Sequence, residues 1–192
     1  MASPTPRDRW GCVVGRFQPF HRDHLSLVTE AHRYHGRVIV AVTNADPTWQ
    51  VEVCEAPHRH LHSANPFSFW QRSELIQAAL VDLIPAESLR IVPFPIHDPS
   101  LWPHYLPTDV DCWVRDRGAW EARKVEELHR RYLVTTLPAV VHEVSGTRVR
   151  ELLLTNDPAW RELVPNAVAV LIDQWLGDGS FRLPLADASA TS

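Results

Sequence analysis

The alternation of β-branched apolar runs with amphipathic helical patterns constrains the fold of this chain more than any other feature. Residues 37–43 (RVIVAVT) form a continuous β-branched run, which is typical of a strand buried on both faces of a sheet. Residues 10–15 form another short apolar run. Between the two, residues 22–35 carry apolar side chains at three- and four-residue spacing, as in an amphipathic helix. Strands that alternate with helices predict a parallel, doubly wound α/β sheet.

The remaining periodic segments extend this pattern into one domain. Further strands are predicted at residues 89–94, 111–115 and 139–142, and further helices at residues 68–83, 117–131, 146–154 and 159–176. We therefore expect a single Rossmann-like domain over residues 10–178 with five or six parallel strands, which suits a chain of 192 residues. Residues 1–9 are expected to be a flexible leader and residues 179–192 a disordered tail.

Charge and composition narrow the classes of partner. The net charge of −4 argues against nucleic acid, whose binding depends on neutralising phosphates. No apolar run approaches the roughly 20 residues that a membrane helix needs, and the first residues lack the apolar core of a signal peptide. The three cysteines are far apart, which favours a reduced, cytoplasmic chain over a disulfide framework. We expect neither a nucleic-acid nor a membrane partner.

The predicted sheet also indicates where a ligand would bind. In doubly wound sheets, ligands lie outside the carboxyl ends of the strands, at the point where the strand order reverses. In this chain those positions follow residues 15 and 43, and lie near residues 95–102 and 145.

The segment from residue 15 to residue 24 (GRFQPFHRDH) occupies the first of these positions. Gly15 permits a tight turn, and the N–H groups of the turn and of the following helix start form an anion site. His21 and His24 are three residues apart, so both can face that site together with Arg16. An isolated histidine pair near a helix start is more often a cap or a surface feature. Placement directly after a buried strand favours polyphosphate binding here.

The same segment resembles the GRFQPFHxGH signature of archaeal-type nicotinamide-mononucleotide (NMN) adenylyltransferases, which belong to the HxGH nucleotidyltransferase superfamily. Residues 145–150 (SGTRVR) are similar to the SxTxxR pattern of that superfamily, and residues 65–68 (NPFS) resemble a segment that opens a helix in these enzymes. Residues 163–165 (LVP) and the helix after them also resemble the family. The resemblance covers most of residues 11–176, with the two phosphate motifs in the family's order.

The resemblance implies a reaction and a role for each motif residue. An acceptor phosphate oxygen attacks the α-phosphorus of a nucleoside triphosphate in line, and pyrophosphate leaves with Mg²⁺. His21 and His24 would contact the triphosphate near the reacting phosphorus, and Arg16 the acceptor or the α-phosphate. Ser145 would cap the late helix, and Arg150, Ser145 and Thr147 would hold the leaving pyrophosphate. The implied nucleotide-binding residues are Gly15, Phe17, Gln18, Asp23, Ser145, Gly146 and Thr147.

Several positions depart from the adenylyltransferase pattern. Asp23 stands where the motif usually has glycine, and its carboxylate would crowd or hydrogen-bond the ribose. Residues 94–102 are similar to the segment that surrounds nicotinamide and retain Trp102, which can stack on a ring, but they lack the polar groups that read a carboxamide. Residues 114–117 (VRDR) replace a Gly-Asn segment near the base. These changes predict altered substrates with retained phosphate chemistry.

A bacterial branch of the family fits these departures better. Residues 43–47 (TNADP), residues 58–60 (HRH) and the NPF segment resemble the branch that includes the phosphonoformate cytidylyltransferases. We therefore favour transfer of CMP from CTP to a small phosphonate or phosphate over ATP-dependent NMN adenylyl transfer. A non-catalytic nucleotide sensor is a further alternative. The predicted acceptor-binding residues are Asn44, Arg59, His97, Trp102 and Arg115.

The smaller features receive weaker interpretations. His58, His60 and His62 alternate and allow a metal site, but a mobile anion-binding lid that includes Arg59, or a plain polar loop, fits them better. We assign no protein side chain as a metal ligand, and a homo-oligomer is compatible with the sequence. The charged residues over 121–131, Lys124 among them, are interpreted as a solvated helix face without a function.

Overall fold

The computed structural model describes residues 5–49, 61–116, 118–138 and 144–184. Its strands are β1 (Trp10–Gly15), β2 (Val38–Thr43), β3 (Leu89–Phe94), β4 (Val110–Arg115) and β5 (Leu133–Leu137). Its helices are α1 (Arg22–His35), α2 (Phe69–Leu80), α3 (Ala119–His129), α4 (Gly146–Leu154), α5 (Trp160–Leu163) and α6 (Asn166–Asp178). In this part of the chain the helices are too short or too polar to cross a membrane.

All strand pairs of the sheet are parallel, and the strand order is β3-β2-β1-β4-β5. The central strand β1 pairs with β2 on one side and with β4 on the other, with Gly15 opposite Val42 and Cys12 opposite Cys112. The order therefore reverses between β1 and β4. This reversal is where a doubly wound sheet opens a crevice for a ligand. The predicted Rossmann-like fold is confirmed.

The sheet separates two apolar layers. On one face, Val13 and Val40 pack with α1, α2, α4 and α6. On the other, Cys12 and Val14 pack with α3 and with the segment after β3. This division follows from the strand period of two, because consecutive side chains of β1 point to opposite faces. Helix α1 lies close against β1, since a Cβ added at Gly11 would lie 2.9 Å from the His35 ring.

Two predicted elements differ in the structure. The fifth strand is β5, Leu133–Leu137, whereas the predicted strand at residues 139–142 lies outside the described residues. Two threonines interrupt β5, whose side chains are partly exposed, so it lacks the continuous apolar run of a central strand. The predicted helix over residues 159–176 is two helices, because Pro165 interrupts it and precedes α6.

The chain ends also differ from expectation within the described residues. In the predicted leader, Pro6–Asp8 forms a 3₁₀ turn, and the Pro6 carbonyl lies 2.7 Å from Nδ1 of the buried His35. In the predicted tail, Phe181 is buried and stacks on Phe67 with ring centroids 4.3 Å apart. Aromatic burial orders residue 181, so disorder from residue 179 onward is wrong up to that point.

Candidate active site

A cavity of about 280 Å³ opens where β1 and β4 end, at the reversal of strand order. Most residues singled out from the sequence line it, although they come from distant parts of the chain. These lining residues are Gly15, Arg16, Phe17, Gln18, His21, Asp23, His24, Asn44, His97, Arg115, Ser145, Gly146, Thr147 and Arg150. Arg59 lies outside the described residues.

The turn after β1 is built differently from the sequence expectation. The residue with left-handed backbone is Phe17, with φ of 53°, and not Gly15. Gly15 instead leaves space for the Phe17 ring, whose nearest atom would lie 3.0 Å from an added Cβ. The ring is 1 % exposed and contacts the His24 ring at a centroid distance of 4.8 Å. The buried Phe17 ring therefore packs against the His24 ring and supports its position.

Gln18 fastens this turn to the start of α2. Its side-chain N–H donates to the Phe67 carbonyl at 2.9 Å, and its side-chain oxygen accepts from the Phe67 N–H at 2.9 Å. Both ends of the amide are thus used, and Gln18 is buried. Direct contact of Gln18 with the nucleotide stays a prediction, since the residue lines the cavity while its side-chain amide binds the Phe67 backbone. The NPF segment, through the backbone of Phe67, is therefore the hydrogen-bonding partner of the Gln18 side chain.

His21 and His24 share the start of α1. Each ring nitrogen Nδ1 accepts the backbone N–H of the other residue, at 3.4 Å for His21 and 3.3 Å for His24. The rings stack with centroids 3.5 Å apart. Because each Nδ1 accepts, the neutral rings carry their protons on Nε2. The pair is a helix cap and also part of the cavity wall, so its capping role does not exclude the predicted phosphate binding.

The charge state of His24 depends on its surroundings. Burial, together with the nearby cations Lys124 and Arg16, lowers the pKa of His24 to about 3. The ring is therefore neutral near pH 7, with a single Nε2–H to donate. A bound polyphosphate would neutralise those cations and favour the protonated ring.

The N-terminus of α4 forms the opposite wall. Ser145 caps it by accepting the Arg148 N–H at 3.1 Å, which confirms the predicted cap. A Cβ added at Gly146 would lie 2.7 Å from the Gln18 carbonyl oxygen, closer than any side chain tolerates. Glycine is thus required for the turn after β1 and the start of α4 to meet. The two phosphate motifs form one structure.

Arg150 joins the same two motifs by hydrogen bonds. Its Nη1 donates to the Gln18 carbonyl at 2.7 Å, and its Nη2 donates to Thr147 Oγ1 at 3.2 Å. The residue is buried, yet it lines the cavity. The guanidinium therefore holds the turn and orients Thr147, while it presents a positive charge beside the helix N-terminus.

The side chains of Asp23 and Arg115 form an ion pair at the point where the strand order reverses. The Arg115 Nε lies 3.3 Å from the Asp23 Oδ1, and both side chains are buried. Arg115 also donates from Nη1 to the Pro138 carbonyl at 3.1 Å. The carboxylate in the place of the motif glycine thus has a cationic partner from the end of β4. The pair fills space beside the first turn of α1.

Trp102 is not on the cavity wall. It is 1 % exposed, and its indole N–H donates to the Pro95 carbonyl at 3.0 Å. Its ring packs between Phe94 and Tyr132 in the layer under β3. The prediction that Trp102 stacks on an acceptor ring is wrong in this structure, because the ring faces the core. Asn44, with φ of 51°, and His97 remain on the wall.

Lys124 and Glu121 are two further residues of the site, in a segment predicted to be a solvated helix face. Both lie on α3 and line the cavity, and the Lys124 ammonium donates to the Val14 carbonyl at 3.3 Å, near the end of β1. One signal was available, since Lys124 is the only lysine in the chain. With Arg16, Arg115 and Arg150, it makes four basic lining residues against two carboxylates. The cavity is therefore basic although the net charge of the chain is −4.

Comparison with known proteins identifies the family of this chain. The sequence model of the cytidylyltransferase-like family matches residues 12–152. The chain is 34 % identical, over 85 % of its length and 90 % of the relative, to a phosphonoformate cytidylyltransferase from Streptomyces viridochromogenes. It is 30 % identical, over 90 % of its length and 94 % of the relative, to a nicotinamide-nucleotide adenylyltransferase from Saccharolobus solfataricus.

Solved structures show the same fold. A bifunctional NMN adenylyltransferase/ADP ribose pyrophosphatase from Francisella tularensis matches with a TM-score of 0.58 at 18 % identity, covering 86 % of this chain and 50 % of that one. A putative nicotinate-nucleotide adenylyltransferase from Vibrio parahaemolyticus matches with a TM-score of 0.55 at 16 % identity, covering 87 % of this chain and 93 % of that one. The chain belongs to the cytidylyltransferase-like family and is a nucleotidyltransferase.

Proposed function

We propose that this protein transfers CMP from CTP to a small phosphonate or phosphate acceptor and releases pyrophosphate. The observation that carries the choice of acceptor is the burial of Trp102, which removes the aromatic surface on which a nicotinamide ring would stack. A small dianionic acceptor needs basic groups and no ring platform. The similarity to the phosphonoformate cytidylyltransferase supports the same acceptor class.

The cavity suits an in-line displacement at the α-phosphorus. An anionic oxygen of the acceptor forms the new P–O bond, while the bond from the α-phosphorus to the bridging oxygen breaks and pyrophosphate leaves with that electron pair. The acceptor oxygen is already ionised, so no general base is required. Catalysis then rests on positioning and on stabilising the charge that moves onto the leaving group.

Each lining group has a part in this scheme. The Nε2–H groups of His21 and His24 donate to the triphosphate near the reacting phosphorus. The N-terminus of α4, with Thr147 and Arg150, holds the leaving pyrophosphate, because helix N–H groups and a guanidinium favour phosphate oxygens. Arg16 and Asn44, which also line the cavity, would bind the acceptor.

We propose that Mg²⁺ enters with the triphosphate and neutralises its charge. Within the described residues there is no group of three or more histidine, cysteine or carboxylate side chains placed to hold a metal ion. Phosphate oxygens and water supply most ligands of Mg²⁺ in sites of this kind, so the basic cavity fits a metal–nucleotide complex. We further propose a cytoplasmic location, where CTP is available and the buried free thiols of Cys12 and Cys112 stay reduced.

An ATP-dependent NMN adenylyltransferase is the second candidate. The 30 % identity to the enzyme from Saccharolobus solfataricus favours it, and the phosphate-binding half of the cavity would serve either reaction. The Asp23–Arg115 pair and the buried Trp102 favour the cytidylyltransferase, since both alter the places where an adenosine ribose and a nicotinamide would lie.

Pyrophosphate release in the presence of Mg²⁺ tests the proposal. CTP and ATP are each paired with phosphonoformate and with NMN, and we expect turnover with CTP and phosphonoformate. Turnover with ATP and NMN alone would establish the second candidate. Tight nucleotide binding without pyrophosphate release from any pair would favour a nucleotide sensor.

A further inference from the structure

Arg72 of α2 is a buried cation that the scheme above does not use. It is 1 % exposed, and it contacts backbone carbonyls. Its Nη1 donates to the carbonyls of Arg16 and Thr43, both at 2.7 Å, and its Nη2 donates to the carbonyl of Asn44 at 2.8 Å. A longer bond of 3.3 Å joins its Nε to Ser68, the cap of its own helix.

The partners of Arg72 do not neutralise it. Among the described residues it has no carboxylate within ion-pair distance, and its hydrogen bonds all go to carbonyls. Burial lowers the pKa of Arg72 to about 10, so the guanidinium is still charged near pH 7. Burying a charge without a counter-ion is costly, and an apolar side chain of similar volume often gives a more stable protein. Stability of the fold alone does not explain this residue.

The carbonyls that Arg72 holds belong to two segments of the cavity wall. Arg16 begins the turn after β1, whereas Thr43 ends β2 and Asn44 follows it, and all three line the cavity. A trans peptide sets its C=O and N–H antiparallel. The N–H groups of the next residues in the chain, Phe17, Asn44 and Ala45, therefore point away from the guanidinium. Arg72 also accommodates the left-handed backbone of Asn44, with φ of 51°.

We propose that Arg72 is a positioning residue for the acceptor end of the site, one that fixes the turn after β1 and the end of β2 relative to each other. Its bidentate fork sets the direction of three peptide groups and so places the side chains of Arg16 and Asn44 against the acceptor. This inference rests on the proposed function for the identity of the acceptor. The geometry of the two wall segments is independent of it.

Kinetics of Arg72→Lys test the proposal. Lysine keeps the charge but cannot span three carbonyls. We expect KM for phosphonoformate to rise about tenfold and kcat to fall, with KM for CTP changed less than about threefold, because misplacing one reactant costs rate without removing the other's contacts. A merely structural role would lower the melting temperature and leave the kinetic constants of the folded enzyme unchanged, which would overturn the proposal.

Arg90→Lys is the matched control. Arg90 Nη1 also donates to three carbonyls, those of Ala86, Glu87 and Leu89, but at the start of β3, the end of the sheet opposite the cavity. We expect its kinetic constants to equal those of the wild type. A rise in acceptor KM in both variants would contradict a role specific to Arg72.

Hydrogen exchange gives a readout that needs no substrate. In Arg72→Lys we expect faster amide exchange over residues 16–18 and 43–46 than in the wild type, with other strands unchanged. If the wild type turns over none of the four substrate pairs, the proposed function fails while this exchange result still decides the positioning role. Unchanged exchange with an unchanged ratio of the two KM values would remove the positioning role.

A second variant covers the case in which Arg72→Lys does not fold. Arg72→Ala leaves a cavity into which free guanidinium fits, and low concentrations of guanidinium should restore the acceptor KM. Sodium at the same ionic strength should not restore it. Equal effects of both cations, or of neither in a folded variant, would count against the proposal.

Discussion

The cavity has two halves that are built in different ways. The half for which we propose phosphate binding, the phosphate half, is lined by His21, His24, Gly146, Thr147 and Arg150. The half for which we propose substrate selection, the selecting half, is lined by Asp23, Asn44, Ile96, His97 and Arg115. In the phosphate half, backbone groups of two helix starts meet, and Arg150 and Gly146 lock them together through Gln18. In the selecting half, the buried ion pair joins Asp23 of α1 to Arg115 at the end of β4, and Asn44, with its left-handed backbone, follows β2.

The difference shows how one fold serves several substrates. Every nucleoside triphosphate presents the same phosphates, so backbone N–H groups at helix starts can bind any of them. Base, ribose and acceptor differ between substrates, so the groups that meet them must change with the reaction. Changes in the phosphate half should therefore reduce the rate with all substrates, whereas changes in the selecting half should alter the ratio between substrates.

The largest loss is expected from His24→Ala. Removing one preorganised donor to the developing charge should lower kcat about 10³-fold while CTP affinity changes little. Single-turnover kinetics and calorimetric CTP binding measure the two quantities. His129→Ala, on the exposed end of α3, is the control and should match the wild type. A loss of CTP binding with normal turnover per bound complex would contradict the role of His24.

Lys124→Met should produce the next largest effect. Its ammonium lies at the end of β1 and lowers the pKa of His24, so it is close enough to act on the same phosphates. We expect kcat/KM for CTP to fall about 100-fold, as for loss of a charge-assisted hydrogen bond in a desolvated site. Arg130→Met, which breaks an exposed surface pair on α3, should leave kcat/KM unchanged. Similar losses in both variants would support the first interpretation of Lys124 as part of a solvated helix face without a function.

Gly146→Ala tests the junction of the two phosphate motifs. The added methyl would meet the Gln18 carbonyl at 2.7 Å, so the start of α4 must move away from the turn. We expect kcat/KM to fall about tenfold with CTP and with ATP alike, since both use this junction. Gly177→Ala in α6 is the matched control, because nothing lies within 4 Å of its added methyl. A fall in kcat/KM with only one of the two nucleotides would contradict the division of the cavity into a phosphate half and a selecting half.

The same division explains what the sequence could predict. The phosphate half lies in two short segments, residues 15–24 and 145–150, whose residue order alone indicates a helix start beside a strand end. The sheet was predictable from the buried β-branched runs of β1 and β2. The strand β5 was not, because its exposed edge position allows threonines that hide the pattern.

The selecting half depends on contacts that no local pattern encodes. Nothing near Asp23 in the sequence indicates that Arg115 will lie 3.3 Å away. The burial of Trp102 depends on packing against Phe94 and Tyr132, and the place of Lys124 on the wall depends on how α3 docks across the sheet. In the sequence, Arg72 likewise resembles any other helix residue. Its role is visible only in the structure, where it donates to the carbonyls of Arg16, Thr43 and Asn44.

Asp23→Gly should change selectivity more than rate. Glycine removes the carboxylate from the first turn of α1 and opens space where a larger nucleoside fits. We expect the ratio of kcat/KM for CTP to that for ATP to fall about fivefold, within the range that small changes of pocket shape produce. Asp23→Asn is the control, since it keeps the volume and removes the charge. An equal change of the ratio in both variants would show that the negative charge of Asp23, which pairs with Arg115, sets the selectivity, and not the space that its side chain occupies.

The last prediction concerns stability and not rate, namely the response of the phosphate half to acid. The folded-state pKa of His24 is about 3, below its ordinary value of 6.5. Between pH 3 and pH 6.5, His24 is therefore protonated in the unfolded chain and neutral in the folded chain. The resulting stability is fully present above pH 6.5 and is lost as the pH falls toward 3. We expect the wild type to lose about 2 kcal/mol more unfolding free energy than His24→Gln between pH 6.5 and 4.5. Urea denaturation at both pH values measures this, and equal losses would mean that the His24 ring is solvated and free to take up a proton before any nucleotide arrives.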